Sequence, residues 1–304
     1  YTITLPKMWV KDQDIEQVDE LEVEFQEDNL LISPLSDTKR QKKVHLDLKS
    51  SNPDHIKNLI RNLYLHAYDL IDIVFYDEKD INAINEIVNR LIGYEIIEQD
   101  AESCPIKDIA GEKGEDFEII YRKLWRTINL MGELVVDALT TGATTTDTIK
   151  IDDLNHNNSR FAAYTRRAIS KHLIRSDKGL SDYIIITRLF MIGRNFYWIY
   201  EFLSSTQFKI KKSTLDFVKK YLRTLDSFYE FYYDQNMVLG KETKKLTEEM
   251  VKESYLLLQK DATKNSVVLF RIAEAIRFIS SSVAKAEIVK LLGRSTLDTK
   301  DTSN

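Results

Sequence analysis

The spacing of apolar residues changes character along the chain, and each change marks a different kind of element. In residues 1–34 the period is two. Ile3 and Leu5 alternate with Thr2 and Thr4 until Pro6, which predicts a short strand followed by roughly one helical turn. Leu21, Val23 and Phe25 alternate with Glu22 and Glu24, a polar turn follows at residues 26–29, and LLISP (30–34) supplies a second strand. Residues 35–43 are polar, with Lys39, Arg40, Lys42 and Lys43, and read as a solvated connector.

From 44 to 110 strand-like and helix-like runs alternate. VHLDL (44–48) reads as a strand. Asn52 caps a helix with Pro53 at its first position, and Ile56, Leu59, Ile60 and Leu63 follow at helical spacing. LIDIVFY (70–76) is a strong strand. Asp80 is the expected cap of a second helix, with Ile81, Ile84, Val88 and Leu91 inward and Gly93 ending it. YEIIEQ (94–99) and CPIKDI (104–109) complete a small α/β layer domain. It contains no Gly-rich phosphate loop, so no nucleotide is assigned to it.

From 115 to 293 the period becomes helical throughout. Phe117, Tyr121, Leu124, Ile128, Met131, Val135 and Ala138 form a seam with steps of four and three. After a polar stretch at residues 140–147 comes a helix carrying Phe161, Tyr164 and Ile169. Residues 182–203 are apolar nearly all round and should be central. A fourth helix repeats the stepping through Val218, Tyr221, Leu225, Phe228 and Tyr232; the fifth (241–259) is polar; the last runs from Val268 to Val289, with Gly293 as the expected stop. RLFMIGRNFYWI (188–199) resembles LFRIAEAIRFI (269–279), and Glu133/Asp137 answer Glu230/Asp234, so the helices read as two related three-helix units.

Composition sharpens this picture. Only 9 Gly and 4 Pro in 304 residues fit long helices with few turns. One Cys excludes a disulfide framework, and Cys104 reads as a small core residue. No uncharged apolar run approaches a membrane-spanning length, and no secretion signal is visible, so a cytoplasmic chain without membrane insertion is expected. The net charge of −5 excludes a broadly basic polyanion binder. Residues 1–44 hold six basic and ten acidic side chains, so DNA binding there requires segregated charge. Lys7 and Lys11, one turn apart, are the candidate stripe. Three short strands and one helical turn bury too little surface to close a core, so this piece must pair with a neighbour or a second copy of itself.

The candidate chemistry is carried by carboxylates. Glu133 and Asp137 share one helical face, as do Asp226, Glu230 and Asp234. Like charges at that spacing repel, and a cation or Arg would relieve them. Oxygen-rich sets suit hard metals, whereas a solvated acidic face is the plain alternative. Arg194, on the most apolar helix, is read as a structural ion-pair residue with Glu133 and Asp137 as partners, and Arg188 also needs a partner there. The aromatics from Phe228 to Tyr233 read as core or interface. The five His are scattered and no nucleophile–base constellation is present, so no catalytic residues are assigned.

Residues 1–25 resemble the AbrB/SpoVT-like, MazE-like swapped-hairpin module, with Tyr1, Leu5, Pro6, Lys7 and Trp9 carrying the match. Such a module often opens archaeal PhoU-type phosphate-uptake regulators. Residues 58–73 and 84–97 are similar to the α/β domain placed next in those proteins. The Glu133/Asp137 and Glu230/Asp234 pairs are similar to the acidic motifs of PhoU three-helix bundles, and RIAEAIRFI to their third helix.

The resemblance implies a multidomain, mainly α protein: two PhoU-type three-helix bundles (115–205 and 213–293) after a swapped-hairpin β module (1–36) and a small α/β domain (44–110), with a disordered tail at 294–304. It implies a non-enzymatic regulator of phosphate uptake, dimeric through its first module and acting on DNA. The alternative is an adaptor for a phosphate transporter ATPase or a sensor, with the first module used only for dimerisation. It also implies a divalent or ferric metal at Asp226, Glu230, Asp234 and Glu274. The first repeat departs from the family: it has Arg194-Asn195 where Asp-His is usual, and NHNNSR (155–160) where acidic residues are usual. There Arg194 is expected to replace a metal beside Glu133 and Asp137.

Overall fold

The computed structural model describes residues 2–12, 15, 20–26, 29–34, 41–49, 52–110, 114–172, 177–206, 210–234, 236–260 and 265–298. Tyr1, most of the connector expected at 35–43 and residues 299–304 of the expected tail lie outside them. The chain divides into two compact units, Tyr1–Lys42 and Lys43–Asn304.

The first unit holds helix α1 (Lys7–Asp12) and the hairpin strands β1 (Leu21–Gln26) and β2 (Asn29–Pro34). The strands pair antiparallel, with Val23 opposite Ile32 and Leu21 opposite Pro34. The strand expected before Pro6 is absent: residues 2–6 have no regular structure, and the sheet contains β1 and β2 alone. A strand exists only through ladder partners, and the described residues offer this segment none.

The second unit begins with an α/β layer. Strands β3 (Lys43–Asp47), β4 (Leu70–Val74), β5 (Tyr94–Ile96) and β6 (Ile106–Asp108) are ordered β3-β4-β6-β5. Strands β3 and β4 are parallel, joined by helix α2 (Pro53–Leu65); β6 runs antiparallel to β4 and β5. Asn52 caps α2 by accepting from the His55 N–H at 2.7 Å, with Pro53 at the first position. Helix α3 (Glu78–Val88) departs from expectation: Asp77 is its cap, accepting from the Lys79 N–H at 2.9 Å, while Asp80 is buried in the first turn. Nor does Gly93 end the helix, whose C-cap is Asn89; at φ +92 it turns the chain into β5. Ile56, Ile60 and Tyr64 of α2 pack with Ile71, Ile73, Ile84 and Ile106 in one core, which includes buried Cys104. Burial pushes the Cys104 thiol up to about 12, so it is an inert core residue.

Six long helices follow: α4 (Gly114–Thr141), α5 (Thr145–His172), α6 (Asp177–Ser205), α7 (Lys212–Asp234), α8 (Met237–Lys260) and α9 (Asn265–Asp298). Helices α4, α5 and α6 pack against one another pairwise, and so do α7, α8 and α9; the two sets meet through α6 on α9 and α4 on α7. The seam from Tyr121 to Ala138 is buried, as are Ile185, Leu189, Ile192, Phe196 and Ile199 of α6. Helix α6 is apolar on several sides because it packs on α4, α5 and α9. Gly193 lies at the crossing of α5 and α6, where a Cβ would collide with the fully buried Asn158 side chain. Helix α9 runs through Gly293 to Asp298, so neither a stop at 293 nor an irregular segment at 294–298 is present. A Gly inside a helix costs only about 1 kcal/mol relative to Ala, too little by itself to end one. Among the described residues no helix is long and apolar enough to cross a membrane.

Candidate functional site

In the first unit, Lys7 and Lys11 lie on the same face of α1 and are both exposed. The helix starts directly after Pro6, whose carbonyl accepts from the Val10 N–H at 3.0 Å. Alternation along the hairpin puts Leu21, Val23 and Ile32 on one face. Among the described residues that face is only partly covered: Leu21 and Ile32 are half-buried. Val23 and Leu30 keep 47% of their surface and Met8 keeps 80%. Among the side chains described in residues 1–42, none is buried. Such an apolar face, left open on a small β-unit, marks an interface.

The acidic pairs fall in the second unit, where α4 meets α7. Asn129 and Asp226, one turn before Glu133 and Glu230, occupy matching positions in the two helical sets. Asn129 Nδ2 donates to Asp226 Oδ1 at 2.9 Å, so like positions of the two halves meet. Burial pushes the Asp226 carboxyl above its ordinary range, and the nearby charges of Glu230 and Glu133 push the same way, while the Asn129 hydrogen bond opposes them. Glu133, Asp137, Glu230 and Asp234 are exposed. On either side of this contact the aromatic run packs as core and seam: Phe228 and Phe231 are buried, and Tyr121 meets Tyr232 edge-on at 5.4 Å.

Two expectations for these acids are corrected. Among the described residues, no three His, Cys, Asp or Glu side chains are gathered where they could share a metal ion. Glu274 is instead drawn to Arg271 on its own helix, at 3.5 Å, and Asp226 is held by Asn129. Among the described residues Asp226, Glu230, Asp234 and Glu274 are thus not gathered at one point, and no chemistry is routed through a metal there. Arg194 does not neutralise Glu133 and Asp137 either. Its Nη1 donates to Asn155 on α5 at 3.0 Å, and its guanidinium lies 5.1 Å from the Trp198 ring and 5.3 Å from that of Tyr197. It projects toward α5, away from the α4 acids. Arg188 is half-buried, and its Nη1 has no hydrogen-bond partner among the described residues.

A further charged cluster was not singled out from the sequence. Arg167 of α5 is 0% exposed; its Nη2 lies 2.7 Å from Asp108 Oδ2 on β6, and its Nη1 donates to the Tyr64 carbonyl at 2.7 Å. Lys171 bridges Asp108 at 2.7 Å and Asp69 at 2.9 Å. Burial pushes the Asp108 carboxyl up, but its hydrogen bonds with Lys171 and Arg167 outweigh this and hold it below the usual carboxylate range. The guanidinium also stacks on Tyr64 and Tyr94, at 4.7 and 5.0 Å. This cluster fastens the α/β layer to α5. The available signal was the Arg166-Arg167 pair in an otherwise apolar stretch of helix.

Residues 1–40 match the family described as antidote-toxin recognition MazE, bacterial antitoxin. No curated protein and no solved structure matches the chain. Residues 1–40 are thus similar to a MazE/AbrB-type domain. Domains of this type commonly dimerise and bind DNA, which suggests a DNA-binding or antitoxin-type regulatory role.

Proposed function

We propose that this chain is a non-enzymatic, homodimeric, DNA-binding transcriptional regulator whose helical body is of PhoU type. One observation carries the reading: residues 1–40 match a MazE-type domain, and in a single copy that domain leaves its apolar face open. A second copy supplies the cover and doubles the Lys7/Lys11 stripe, setting four lysines in a two-fold arrangement suited to a symmetric DNA site. Segregation of these lysines onto one helical face overcomes the net negative charge of the module. The assignment to phosphate uptake is supported by the order of the domains and by the paired Glu133/Asp137 and Glu230/Asp234 motifs. The place of action on this reading is the cytoplasm.

The test is a gel-shift with genomic fragments at physiological salt and excess competitor DNA. A specific shift is expected, weakened by Lys7→Ala and Lys11→Ala together, each Lys lowering the slope of log affinity against log salt by about 0.9 when removed. No shift above competitor overturns the DNA reading. The acidic balance of residues 1–44 favours a second reading, in which the module only dimerises and the helices dock on a transporter ATPase or a sensor. Stoichiometric co-purification with such a protein, without any shift, decides for it.

A further inference from the structure

The sheet of the second unit ends in two edges of different kinds. At one, β5 is only three residues long. At the other, β3 runs for five residues, Lys43–Asp47, in unbroken parallel register with β4. Among the described residues β4 is its only strand neighbour. Short strands, prolines and bulges blunt a sheet edge, and β3 has none of these; its two charges, Lys43 and Asp47, are of opposite sign. The Leu48 N–H donates to the Val74 carbonyl at 3.0 Å. Alternate residues of a strand turn their backbone groups to the same side, so those of Val44 and Leu46 also face β4. The N–H and C=O groups of Lys43, His45 and Asp47 therefore face away from the sheet.

This edge is complementary to itself. An antiparallel ladder needs outward-facing residues opposite outward-facing residues. Two copies of β3 meet that condition about a two-fold axis at His45. Lys43 then stands opposite Asp47 of the second copy, Val44 opposite Leu46, and His45 opposite His45, so the whole strand is used. Lys43, His45 and Asp47 are exposed while Val44 and Leu46 are half-buried, so opposite charges meet on the open face and apolar side chains on the other. An axis at Leu46 instead sets Lys43 opposite Lys49, and an axis at Val44 leaves Asp47 beyond the end of the partner strand. Asp47 is held by Lys49 of its own chain, with Nζ at 2.9 Å, yet 40% of its side chain is exposed, and a carboxylate has room for a second cation. Opposite charges facing across a ladder favour the His45 register over the other two.

We propose that β3 is a second interface between copies of this chain: in the dimer the two β3 edges pair antiparallel about His45 and join the two α/β layers in one sheet. The proposal rests on the dimer held by the first units. Strand β2 ends at Pro34 and β3 begins at Lys43, so residues 35–42 keep each β3 within about 30 Å of its own hairpin. Pairing of the first units thus presents the two β3 strands to each other at an effective concentration of about a millimolar. A ladder this short does not hold two chains together alone, so it forms only after the first units have paired.

The test is disulfide trapping in the full chain. Opposite residues of a hydrogen-bonded antiparallel pair have Cα atoms about 5.5 Å apart, within disulfide reach. Residues offset by four positions are about 14 Å apart. His45→Cys should therefore cross-link under mild oxidation at least about tenfold faster than Lys43→Cys, although both positions are exposed on one strand. Co-expressed Lys43→Cys and Asp47→Cys chains should regain the fast rate in their mixed dimers. Lys43→Ala in the His45→Cys chain should slow trapping by no more than about threefold, so that register and not lost charge sets the difference. The native Cys104 is buried and does not compete. Equal rates for His45→Cys and Lys43→Cys, or no trapping of His45→Cys in a protein that sediments as two chains, overturns the proposal and leaves the dimer standing. Sedimentation of the wild type as one chain removes the dimer itself, and the proposal with it. Hydrogen exchange at Lys43, His45 and Asp47 that is equally slow in the wild type and in the Val23→Asp, Ile32→Asp variant means that the chain covers its own edge, which also overturns the proposal.

Discussion

Val23 and Leu30 in the N-terminal unit keep 47% of their surface exposed, whereas Ile128, Phe196 and Ile272 in the second unit keep 1% or none. The sequences explain the difference. Two strands and six residues of helix offer one apolar face, and the described residues of this unit leave it half-covered. The second unit supplies partners within its own chain: α6 on α9, α4 on α7, and α5 on both α4 and α6. Alternating apolar residues make a face; only a second layer makes a core. The second unit therefore closes a core among its own residues, whereas the described residues of the first close none.

The comparison predicts opposite responses to substitution. The largest effect belongs to Arg167→Met, which leaves Asp108 buried with half its partners. A loss of about 3–5 kcal/mol in urea unfolding of the second unit is expected, as for other broken buried pairs. The same cluster sets an acid limit. The folded-state pKa of Asp108 is lowered from its ordinary 3.8, so its contribution is fully present above that value and lost as pH falls through the lower folded value. Asp108→Asn should be less stable than wild type at pH 7 and should flatten the loss of stability below about pH 4. Next in size, Gly193→Ala forces a methyl into Asn158 at the α5–α6 crossing, at a cost of about 1–3 kcal/mol read by thermal melting.

Val23→Asp should change the melting of the second unit by less than about 0.5 kcal/mol while abolishing self-association, which size-exclusion chromatography reads directly. A matching loss in both would erase the distinction between the units. The smallest effect is expected at the like-charged contact of α4 and α7. Asp226 has a raised folded pKa, so its charge costs stability as pH rises through that value. Asp226→Asn should therefore gain a few tenths of a kcal/mol at pH 7 and nothing below about pH 3.5.

Local signals carried most of the secondary structure. The Asn52-Pro53 cap, the seam from Tyr121 to Ala138 and the many-sided apolar character of α6 follow from spacing and cap chemistry within a few turns. Most of the failures share a physical origin, which is dependence on partners distant in the chain. The strand expected before Pro6 needs a ladder that the described residues do not supply. Asp108 and Arg167 are 59 positions apart, and nothing in either neighbourhood announces the other. Arg194 was expected beside Glu133 because both lie in the first helical set, but its direction around α6 points it at Asn155. The acidic pairs repeat in the sequence, yet repetition of a charge pattern does not bring four side chains to one point. Asp77 rather than Asp80 caps α3 because Asp80 falls on the buried side of the first turn.

We propose that residues 1–42 close a core only with a second copy. Sedimentation equilibrium at micromolar concentration tests it on the full chain and on the double variant Val23→Asp with Ile32→Asp. A mass of two chains for the wild type and of one chain for the variant, with the helical signal unchanged, is the predicted result. A wild-type protein that sediments as a single chain, or a variant that remains paired, contradicts it.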